Sequence, residues 1–331
     1  MNTPKPMTPY SFATALCLSL TLVATAWANP TEPELPTHQA KATHRPSLDQ
    51  LITDADAGSA HAQYRLGNRY YHGRDVPKNI NQAIRYFDLA AKQGDGRAQY
   101  ALALLYHRGE GVPQDRLKAI EYYKRAAGQG HAESQYSLGA MYFHGDGVVK
   151  NKDDALQYYQ AAAAQGHGEA LYALATLYYN GDTVTKDMDK AVDYYRQAAI
   201  ANNPQAHAQL AAMYYHGKGL PQNTTQAIAH YRMAAKQGVT AAQYSLGLLY
   251  YKGEGLPKDL NRAARLYRLA ANKGDAASQF NLGLMYLAGE GVSPDPVQGR
   301  RYLEQAAAQG FADAQAALTQ LNANPPASPS K

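Results

Sequence analysis

Residues 96–131 read GRAQYALALLYHRGEGVPQDRLKAIEYYKRAAGQGH, and versions of this 36-residue stretch fill most of the 331-residue chain. A fixed period between about 20 and 50 residues is typical of a solenoid, in which each unit packs on its neighbours. Three ladders with a spacing of 36 residues keep the copies in register, one of leucine (Leu66, Leu102, Leu138, Leu174, Leu210, Leu246, Leu282), one of glycine (Gly73, Gly109, Gly145, Gly181, Gly217, Gly253, Gly289) and one of tyrosine (Tyr70, Tyr106, Tyr142, Tyr178, Tyr214, Tyr250, Tyr286).

The ladders define seven units, so the chain is not expected to form the two globular domains that its length would ordinarily suggest. A repeat array needs no single central core, because each unit contacts only its neighbours. Net charge is +5, and the positive residues are spread through all units among Glu and Asp, which favours a solvated surface over a nucleic-acid interface. The units are 60–95, 96–131, 132–167, 168–203, 204–239, 240–275 and 276–311.

Each unit contains two segments with helical spacing of apolar residues. In the first unit a helix is predicted over about 60–72, and Gly73 ends it because glycine accepts the left-handed conformation beyond a helix terminus. Pro77 enforces the break that follows. The second helix carries a small alanine pair that recurs in every unit and allows close helix packing, at 90–91, 126–127, 162–163, 198–199, 234–235, 270–271 and 306–307. These patterns predict an all-α solenoid of helix-turn-helix repeats.

The first 28 residues differ in character from the rest. Residues 12–26 are mostly apolar, and Ala26-Trp27-Ala28 supplies the small-x-small pattern of a secretory cleavage site. We predict a signal peptide at 1–28, with a retained membrane anchor as the alternative. Because Cys17 is the single cysteine, the mature chain would contain no disulfide.

The segments that flank the repeats are predicted to be a leader, two caps and a tail. Proline and polar residues at 29–46 predict an extended or disordered leader. Residues 47–59 resemble the second half of a unit, and 312–324 resemble a first helix without its partner, so each is expected to form a capping helix. Residues 325–331 are expected to form a disordered tail.

The repeated residues resemble a known family. The pattern A-x-A-Q-Y-x-L-G-x-x-Y-x-x-G-x-G-V-P-x-D, followed by A-x-x-Y-Y-x-x-A-A-x-x-G, is similar to the Sel1-like repeat, a relative of the tetratricopeptide repeat, and covers 60–311. This resemblance implies a right-handed α-α superhelix that serves as a scaffold for protein partners. Exported bacterial members of the family resemble adaptors of the envelope or of host interaction.

Some secreted members of that family are rich in cysteine, with one disulfide in each repeat. Those members are associated with penicillin binding or β-lactamase activity. The mature chain lacks every such cysteine, so that association transfers poorly.

Two aromatic rows on the first helices are candidates for partner binding. Residues seven apart on a helix lie on one side of it, so the two rows are neighbours. Tyrosine gives a large contact area at low conformational-entropy cost, which favours an aromatic groove, but packing of the rings between repeats is an equal alternative. The first row is Tyr64, Tyr100, Tyr136, Tyr172, Tyr244 and Phe280, and the second includes Tyr71, Phe143, Tyr179, Tyr215 and Tyr251, with His107 and Leu287 at the remaining places.

Positions between the two rows differ from one unit to the next, as at Arg65, Ala101 and Gln209. Variation of this kind indicates freedom from packing, so specificity could reside there. We therefore expect the groove to bind an extended segment or a helix of another protein.

The pattern loosens in the fourth and fifth units. Thr183 replaces a loop glycine, Asn202-Asn203 replaces the closing glycine, and Ala208 replaces a first-row tyrosine. Asparagine tolerates a left-handed cap and Pro204 suits a first helical turn, so we expect the fold to persist there. A local pocket over Ala208 and drift without consequence are both compatible with the pattern.

No catalytic, metal or cofactor site is predicted. The 11 histidines include His72, His144 and His216 at one repeat position, but alternate units would hold them about 20 Å apart, too far for shared ligation. The Gly-Glu-Gly loops place a carboxylate where a phosphate would need donors. The motifs G-x-S-x-G and H-E-x-x-H do not occur in the sequence.

Two hypotheses about function follow. The favoured one is a non-catalytic scaffold or adaptor, periplasmic or secreted, that binds a protein partner and has no stable membrane insertion after signal cleavage. The alternative is an envelope enzyme or a direct binder of cell-wall peptidoglycan that uses the same groove.

Overall fold

The computed structural model describes residues 47–323. The segments expected to be the signal peptide (1–28), the leader (29–46) and the tail (325–331) lie outside the described residues. Within 47–323 the fold is an all-α repeat solenoid of sixteen helices without strands, and no helix there is long and apolar enough to span a membrane. The helices are α1 Leu48–Asp56, α2 Ala60–His72, α3 Ile80–Lys92, α4 Gly96–Arg108, α5 Arg116–Gly128, α6 Ala132–His144, α7 Lys152–Ala163, α8 Gly168–Asn180, α9 Met188–Ile200, α10 Pro204–His216, α11 Thr224–Lys236, α12 Thr240–Lys252, α13 Leu260–Ala271, α14 Ala276–Ala288, α15 Pro296–Ala308 and α16 Ala312–Ala323.

Each repeat is a pair of helices whose ends are fixed by local hydrogen bonds. In the first repeat α2 ends at His72, as predicted, and Gly73 follows with φ 69° while its N–H donates to the Arg69 carbonyl. The Asn79 side chain begins α3 by accepting from the Gln82 N–H at 3.1 Å. These two caps satisfy backbone groups that a helix terminus leaves without intrahelical partners.

Small residues in the first helix allow large rings of the second helix to pack closely. A Cβ atom added at Gly67 would lie 2.7 Å from the Phe87 ring, and one added at Gly139 would lie 2.7 Å from the Tyr159 ring. The predicted alanine pairs behave as expected, because the first alanine of each pair is 0% exposed in all seven repeats. These alanines are Ala90, Ala126, Ala162, Ala198, Ala234, Ala270 and Ala306.

A buried glutamine near the start of most first helices links that helix to the preceding repeat. Its Nε2 donates to the backbone carbonyl eight residues earlier, as from Gln243 to Ala235 at 3.2 Å. Each of these carbonyls also accepts a backbone N–H, as Ala235 does from Gly238 at 3.0 Å, so the glutamine adds a second bond at the end of the preceding helix. The same bond is formed by the buried Gln63, Gln99, Gln135 and Gln279 and by the exposed Gln315 of α16.

The described residues divide into two compact units, a first that ends at Tyr122 and a second that begins at Tyr123, and the boundary falls inside α5. In the first unit, α1 lies in the segment expected to form the N-terminal cap. It packs on α2 through a core that contains Leu51, Ala55 and Leu66. In the second unit, α16 lies in the segment expected to form the C-terminal cap, and Ala314 and Ala317 pack there with Leu303.

The fourth and fifth repeats keep the helical frame despite their altered residues. Asn202 takes the left-handed conformation with φ 64°, where other repeats have glycine. The Asn203 side chain accepts from the Ala206 N–H at 2.9 Å, and Pro204 occupies the first turn of α10. The expectation that the fold persists through these substitutions is therefore confirmed.

Candidate interaction surface

The first aromatic row is largely occupied with packing. Tyr64, Tyr100 and Phe280 are only 4%, 5% and 7% exposed. The Tyr64 ring lies 5.9 Å from that of Phe87, and the Phe280 ring lies 5.4 Å from that of Phe311, in tilted geometries that are favourable for aromatic pairs. Of the two alternatives for this row, packing between helices describes these three rings.

The other members of the first row are half-buried and contact tyrosines of the second helix. Ring centroids lie 5.9 Å apart for Tyr136 and Tyr159, and 5.6 Å apart for Tyr172 and Tyr195. Tyr244 makes the equivalent contact with a ring of α13 at 5.9 Å. Burial raises the pKa of Tyr136 to about 12, so its hydroxyl stays neutral at physiological pH. Each ring leaves only an edge for a ligand.

The second aromatic row is half-buried, and three of its hydroxyls are bound by a loop glutamate of the next repeat. Burial and the adjacent Glu254 together raise the pKa of Tyr215, and burial and Glu290 raise the pKa of Tyr251. The hydroxyls therefore remain protonated and act as donors. The bonds run from Tyr71 to Glu110 at 2.9 Å, from Tyr215 to Glu254 at 2.7 Å and from Tyr251 to Glu290 at 3.0 Å.

The remaining two rings of the second row have different partners. Lys218, which occupies the place of the loop glutamate, lies with its Nζ 4.6 Å from the centre of the Tyr179 ring. Phe143 has no hydroxyl, and the Nζ atom of Lys150 lies 5.7 Å from its ring centre. A lysine ammonium at such a distance is attracted to the ring face. Lys150 belongs to the same repeat as Phe143, so of these two contacts only that between Tyr179 and Lys218 joins two repeats.

An apolar cleft in the first unit opens beside the second row. It is lined by Tyr71, Phe87, Ala101, Leu104 and other residues of the first two repeats. Ala101 is 2% exposed, so the expectation that the variable positions are free of packing is wrong for this residue. Half-buried Leu104 supplies the apolar surface instead.

The three histidines at one repeat position contact their own second-row neighbours rather than one another. His144 lies edge-on to Phe143 at 5.1 Å, and His216 lies edge-on to Tyr215 at 5.0 Å. His72 has the same relation to Tyr71, at 4.9 Å. In the described part of the chain, no group of three or more His, Cys, Asp or Glu side chains could hold a metal ion.

The interface between two consecutive repeats is called a joint below. The joint between the fourth and fifth repeats contains a histidine pair that the sequence patterns did not indicate. His207 stands where most repeats have the linking glutamine, and His230 stands where most have tyrosine. Their Nδ1 atoms lie 3.0 Å apart. Burial lowers the pKa of both imidazoles, and the charge of Arg196 also lowers that of His230. Comparing the residues at each repeat position would have found the pair.

A third aromatic row was also missed. The ladder tyrosine of the first helix stacks on a ring 16 residues later in the second helix, as Tyr142 does on Tyr158 at 5.7 Å with an angle of 9°. A recurrence of aromatic residues at this second-helix position is visible in the sequence. The other stacked pairs are Tyr70–Tyr86, Tyr106–Tyr122, Tyr178–Tyr194, Tyr214–His230 and Tyr286–Tyr302.

Comparisons with known proteins agree with this architecture. Crystal structures similar to this chain include c5321, described as a protective antigen present in uropathogenic Escherichia coli strains and displaying an SLR fold, with 34% identity, a TM-score of 0.75 and 85% of this chain covered. The match spans 60% of the length of c5321. A Sel1 repeat protein from Oxalobacter formigenes is 28% identical with a TM-score of 0.66, over 93% of this chain and 86% of that one.

A comparison with curated proteins found no match. The family model of the Sel1 repeat matches seven consecutive segments, 60–95, 96–131, 132–167, 168–203, 204–239, 240–275 and 276–311, which are the units defined by the residue ladders. The chain therefore belongs to the Sel1 repeat family and has the repeat architecture of its scaffold proteins.

Proposed function

We propose that this protein is a non-catalytic scaffold of the bacterial envelope that binds a segment of another protein along its second aromatic row. The observation that carries the proposal is the set of hydroxyl–carboxylate bonds that hold Tyr71, Tyr215 and Tyr251 in place. Rings fixed before binding lose little conformational freedom when a partner arrives. Each of the three rings is only partly exposed, and the exposed part forms the contact for a partner.

In this proposal the first row has a supporting role. The buried Tyr64, Tyr100 and Phe280 would support the second row by packing beneath it, and the half-buried Tyr136, Tyr172 and Tyr244 would also contact the partner. An extended segment or a helix fits such a surface, since both present side chains at regular intervals. Arg65 and Gln209, which are half-buried, would adjust specificity between the rows.

A periplasmic or secreted location is part of the proposal. It is supported by the signal-like segment at 1–28 and by the description of c5321 as a protective antigen, which is a property of that protein. Fractionation of cells that express the full chain, followed by N-terminal sequencing of the product, tests the location. Recovery of the uncleaved chain from the cytoplasm would contradict it.

The proposed surface can be tested by capture from an envelope extract. Residues 29–331 would be immobilised as the wild type and as the triple variant Tyr179→Ala/Tyr215→Ala/Tyr251→Ala, and bound proteins would be identified by mass spectrometry. We expect a captured protein to be lost from the triple variant while far-UV circular dichroism remains helical. A matched variant with exposed changes, Gln157→Ala/Gln160→Ala/Gln197→Ala, should retain capture.

Two results would overturn this proposal. Equal capture by a folded triple variant would show that the second row does not bind the partner. Turnover of peptidoglycan or a β-lactam by the wild type, abolished by the triple variant, would favour the envelope enzyme instead.

A further inference from the structure

The second helices of the fifth and sixth repeats, α11 and α13, differ from those of all other repeats in their acidic residues. Neither contains Asp or Glu, whereas the second helix of every other repeat contains at least one. Their positive side chains are Arg232, Lys236, Arg262, Arg265 and Arg268. These positive side chains therefore have no acidic residue on their own helix, whereas those of the other second helices do.

Exposed apolar side chains accompany this charge. Met233 and Leu269 are 48% and 51% exposed, although large apolar residues are usually buried. They occupy the same repeat position on consecutive second helices, and each directly follows an arginine, Arg232 or Arg268. The result is a small surface that combines two apolar contacts with several cations.

Hydrogen bonds to tyrosine hydroxyls orient two of these arginines. An Nη2 of Arg232 donates to the Tyr250 hydroxyl at 3.3 Å, and an Nη2 of Arg268 donates to the Tyr286 hydroxyl at 2.9 Å. A guanidinium carries five N–H donors, so each arginine keeps others for a ligand. An oriented guanidinium favours planar, bidentate recognition of a carboxylate.

The sixth repeat adds a local peculiarity that strengthens this arrangement. Leu266 stands where most repeats have the ring that stacks on the ladder tyrosine. Tyr250 instead accepts a second hydrogen bond, from Arg262 at 3.2 Å. Two cations from consecutive second helices thus meet at one hydroxyl.

A polar cleft of about 430 Å³ adjoins this surface. It lies between α13 and α15 and is lined by Asn272, Gln298, Arg301 and Gln305, among others. Amide groups and a guanidinium are suitable partners for a carboxylate or a backbone segment. The cleft could therefore receive an end of a ligand bound on α11 and α13.

We propose that Arg232, Met233, Lys236, Arg265, Arg268 and Leu269 form a docking surface for an acidic protein segment that also presents apolar side chains. This surface is separate from the second aromatic row, which lies on first helices. Neighbouring helices pack about 8–10 Å apart, and an extended chain advances about 3.3 Å per residue. A segment crossing α11 and α13 therefore presents an acidic residue to each helix at intervals of about three residues.

Charge and geometry favour a protein segment over nucleic acid or a membrane. Nucleic acid requires repeated phosphate contacts along an extended basic surface, whereas this one is confined to two helices. A membrane-binding surface relies on a broad apolar face, and here only Met233 and Leu269 are apolar. Oriented arginines are suited to carboxylates at defined positions.

The test uses a fluorescein-labelled peptide of five Glu-Glu-Leu units and measures binding by fluorescence anisotropy at low salt. A peptide with Gln in place of Glu, vesicles of phosphatidylglycerol and a 20-nucleotide single-stranded DNA serve as comparison ligands. We expect the acidic peptide to bind best, and the variant Arg232→Gln/Arg268→Gln to bind it at least about tenfold more weakly. The variant Met233→Ser/Leu269→Ser should weaken binding several-fold.

Two further variants separate specific docking from general charge attraction. Arg85→Gln/Arg116→Gln removes the same charge from exposed sites in the first two repeats and should change affinity less than about twofold. Tyr250→Phe/Tyr286→Phe keeps all charges but releases the arginines, and should weaken binding several-fold. Equal losses for both arginine variants, or tighter binding of the vesicles or DNA than of the peptide, would overturn the proposal.

Discussion

The joints between the fifth, sixth and seventh repeats differ from the joint between the fourth and fifth. In the former, Tyr215 and Tyr251 donate to Glu254 and Glu290 of the next repeat, whereas Tyr179 lies beneath Lys218. The ring is retained while the sign of the loop charge reverses. At these three joints, residues 39 positions apart are in contact, and the contact is either a hydroxyl–carboxylate bond or a cation–ring interaction.

The same two regions differ in the link at the start of the first helix. Gln243 and Gln279 each donate to a carbonyl of the preceding second helix at 3.2 Å. At the joint between the fourth and fifth repeats, His207 replaces the glutamine and also contacts His230. The regular joints use groups that do not titrate near neutral pH, whereas this joint uses two that do.

The largest expected loss of unfolding free energy comes from removing a buried ring of a second helix. The loss should be similar in both regions, because this ring packs inside a repeat. Tyr267 and Tyr195 are 1% and 2% exposed, so Tyr267→Ala and Tyr195→Ala should each lower the free energy of unfolding by about 3–5 kcal/mol. Urea unfolding followed by circular dichroism measures the change. A loss confined to one of the two variants would show that the repeats differ in their cores. Exposed Gln197→Ala is the control.

Removing the hydroxyl of a second-row tyrosine should have a smaller effect on the free energy of unfolding, and this effect should differ between the two regions. Tyr251→Phe removes the hydroxyl that donates to Glu290, so it should cost about 1–2 kcal/mol of unfolding free energy. Tyr179→Phe keeps the ring that faces Lys218 and should cost less than about 0.5 kcal/mol. Urea midpoints of the two variants and the wild type make the comparison. Equal costs would mean that the hydroxyl–carboxylate bond does not stabilise its joint.

One substitution should give the joint between the fourth and fifth repeats a hydroxyl–carboxylate bond like that of the next two joints. Lys218→Glu exchanges a cation–ring contact for a carboxylate that can accept from Tyr179, so a gain of up to about 1 kcal/mol is expected. A double-mutant cycle with Tyr179→Phe isolates the coupling. If the gain persists when residue 179 is phenylalanine, it does not come from the new hydrogen bond.

The histidine pair is expected to have the smallest effect on the free energy of unfolding at neutral pH, and its effect should become measurable only at lower pH. Burial lowers the folded-state pKa of His207 and His230, so the unfolded chain takes up protons first as the pH falls below about 6.5. Stability associated with the neutral pair is therefore present above that pH and is lost as the pH falls towards the lower folded-state pKa. Arg196 and Tyr214 are the other charged or titratable groups that face His230, and the charge of Arg196 also lowers the pKa of that imidazole.

His207→Gln/His230→Tyr introduces the residues of the regular joints and should reduce the loss of urea midpoint between pH 8 and pH 5.5. Other histidines with lowered pKa values, including His144 and His216, will retain part of the dependence. An unchanged difference between the two pH values would exclude the pair as a source of acid sensitivity. Gln at 207 without the change at 230 serves as the intermediate control.

The sequence was sufficient to predict the repeat frame, because the spacing of Leu66, Gly73 and Tyr70 survives in every copy and each residue type has a local structural role. It was not sufficient to distinguish the two aromatic rows. Burial of Tyr64 and partial exposure of Tyr71 depend on the packing angle between helices, which a pattern along one helix does not specify.

Contacts between repeats were harder to predict than contacts within them. The bond between Tyr251 and Glu290 joins residues in different repeats, so neither residue is distinctive within its own 36-residue unit. His207 and His230 are visible only as exceptions at two repeat positions. Local propensities determine the helices, whereas the joints depend on three-dimensional geometry.

The glutamine link has a consequence for how such chains can change in length. If residues 240–275 were deleted, Gln279 would take the place of Gln243 beside Ala235, and Glu290 would take the place of Glu254 beside Tyr215. Copying the same segment would likewise add one complete joint. Unequal recombination in the gene could therefore lengthen or shorten the array by whole units, and selection would act mainly on which partners the new length can reach.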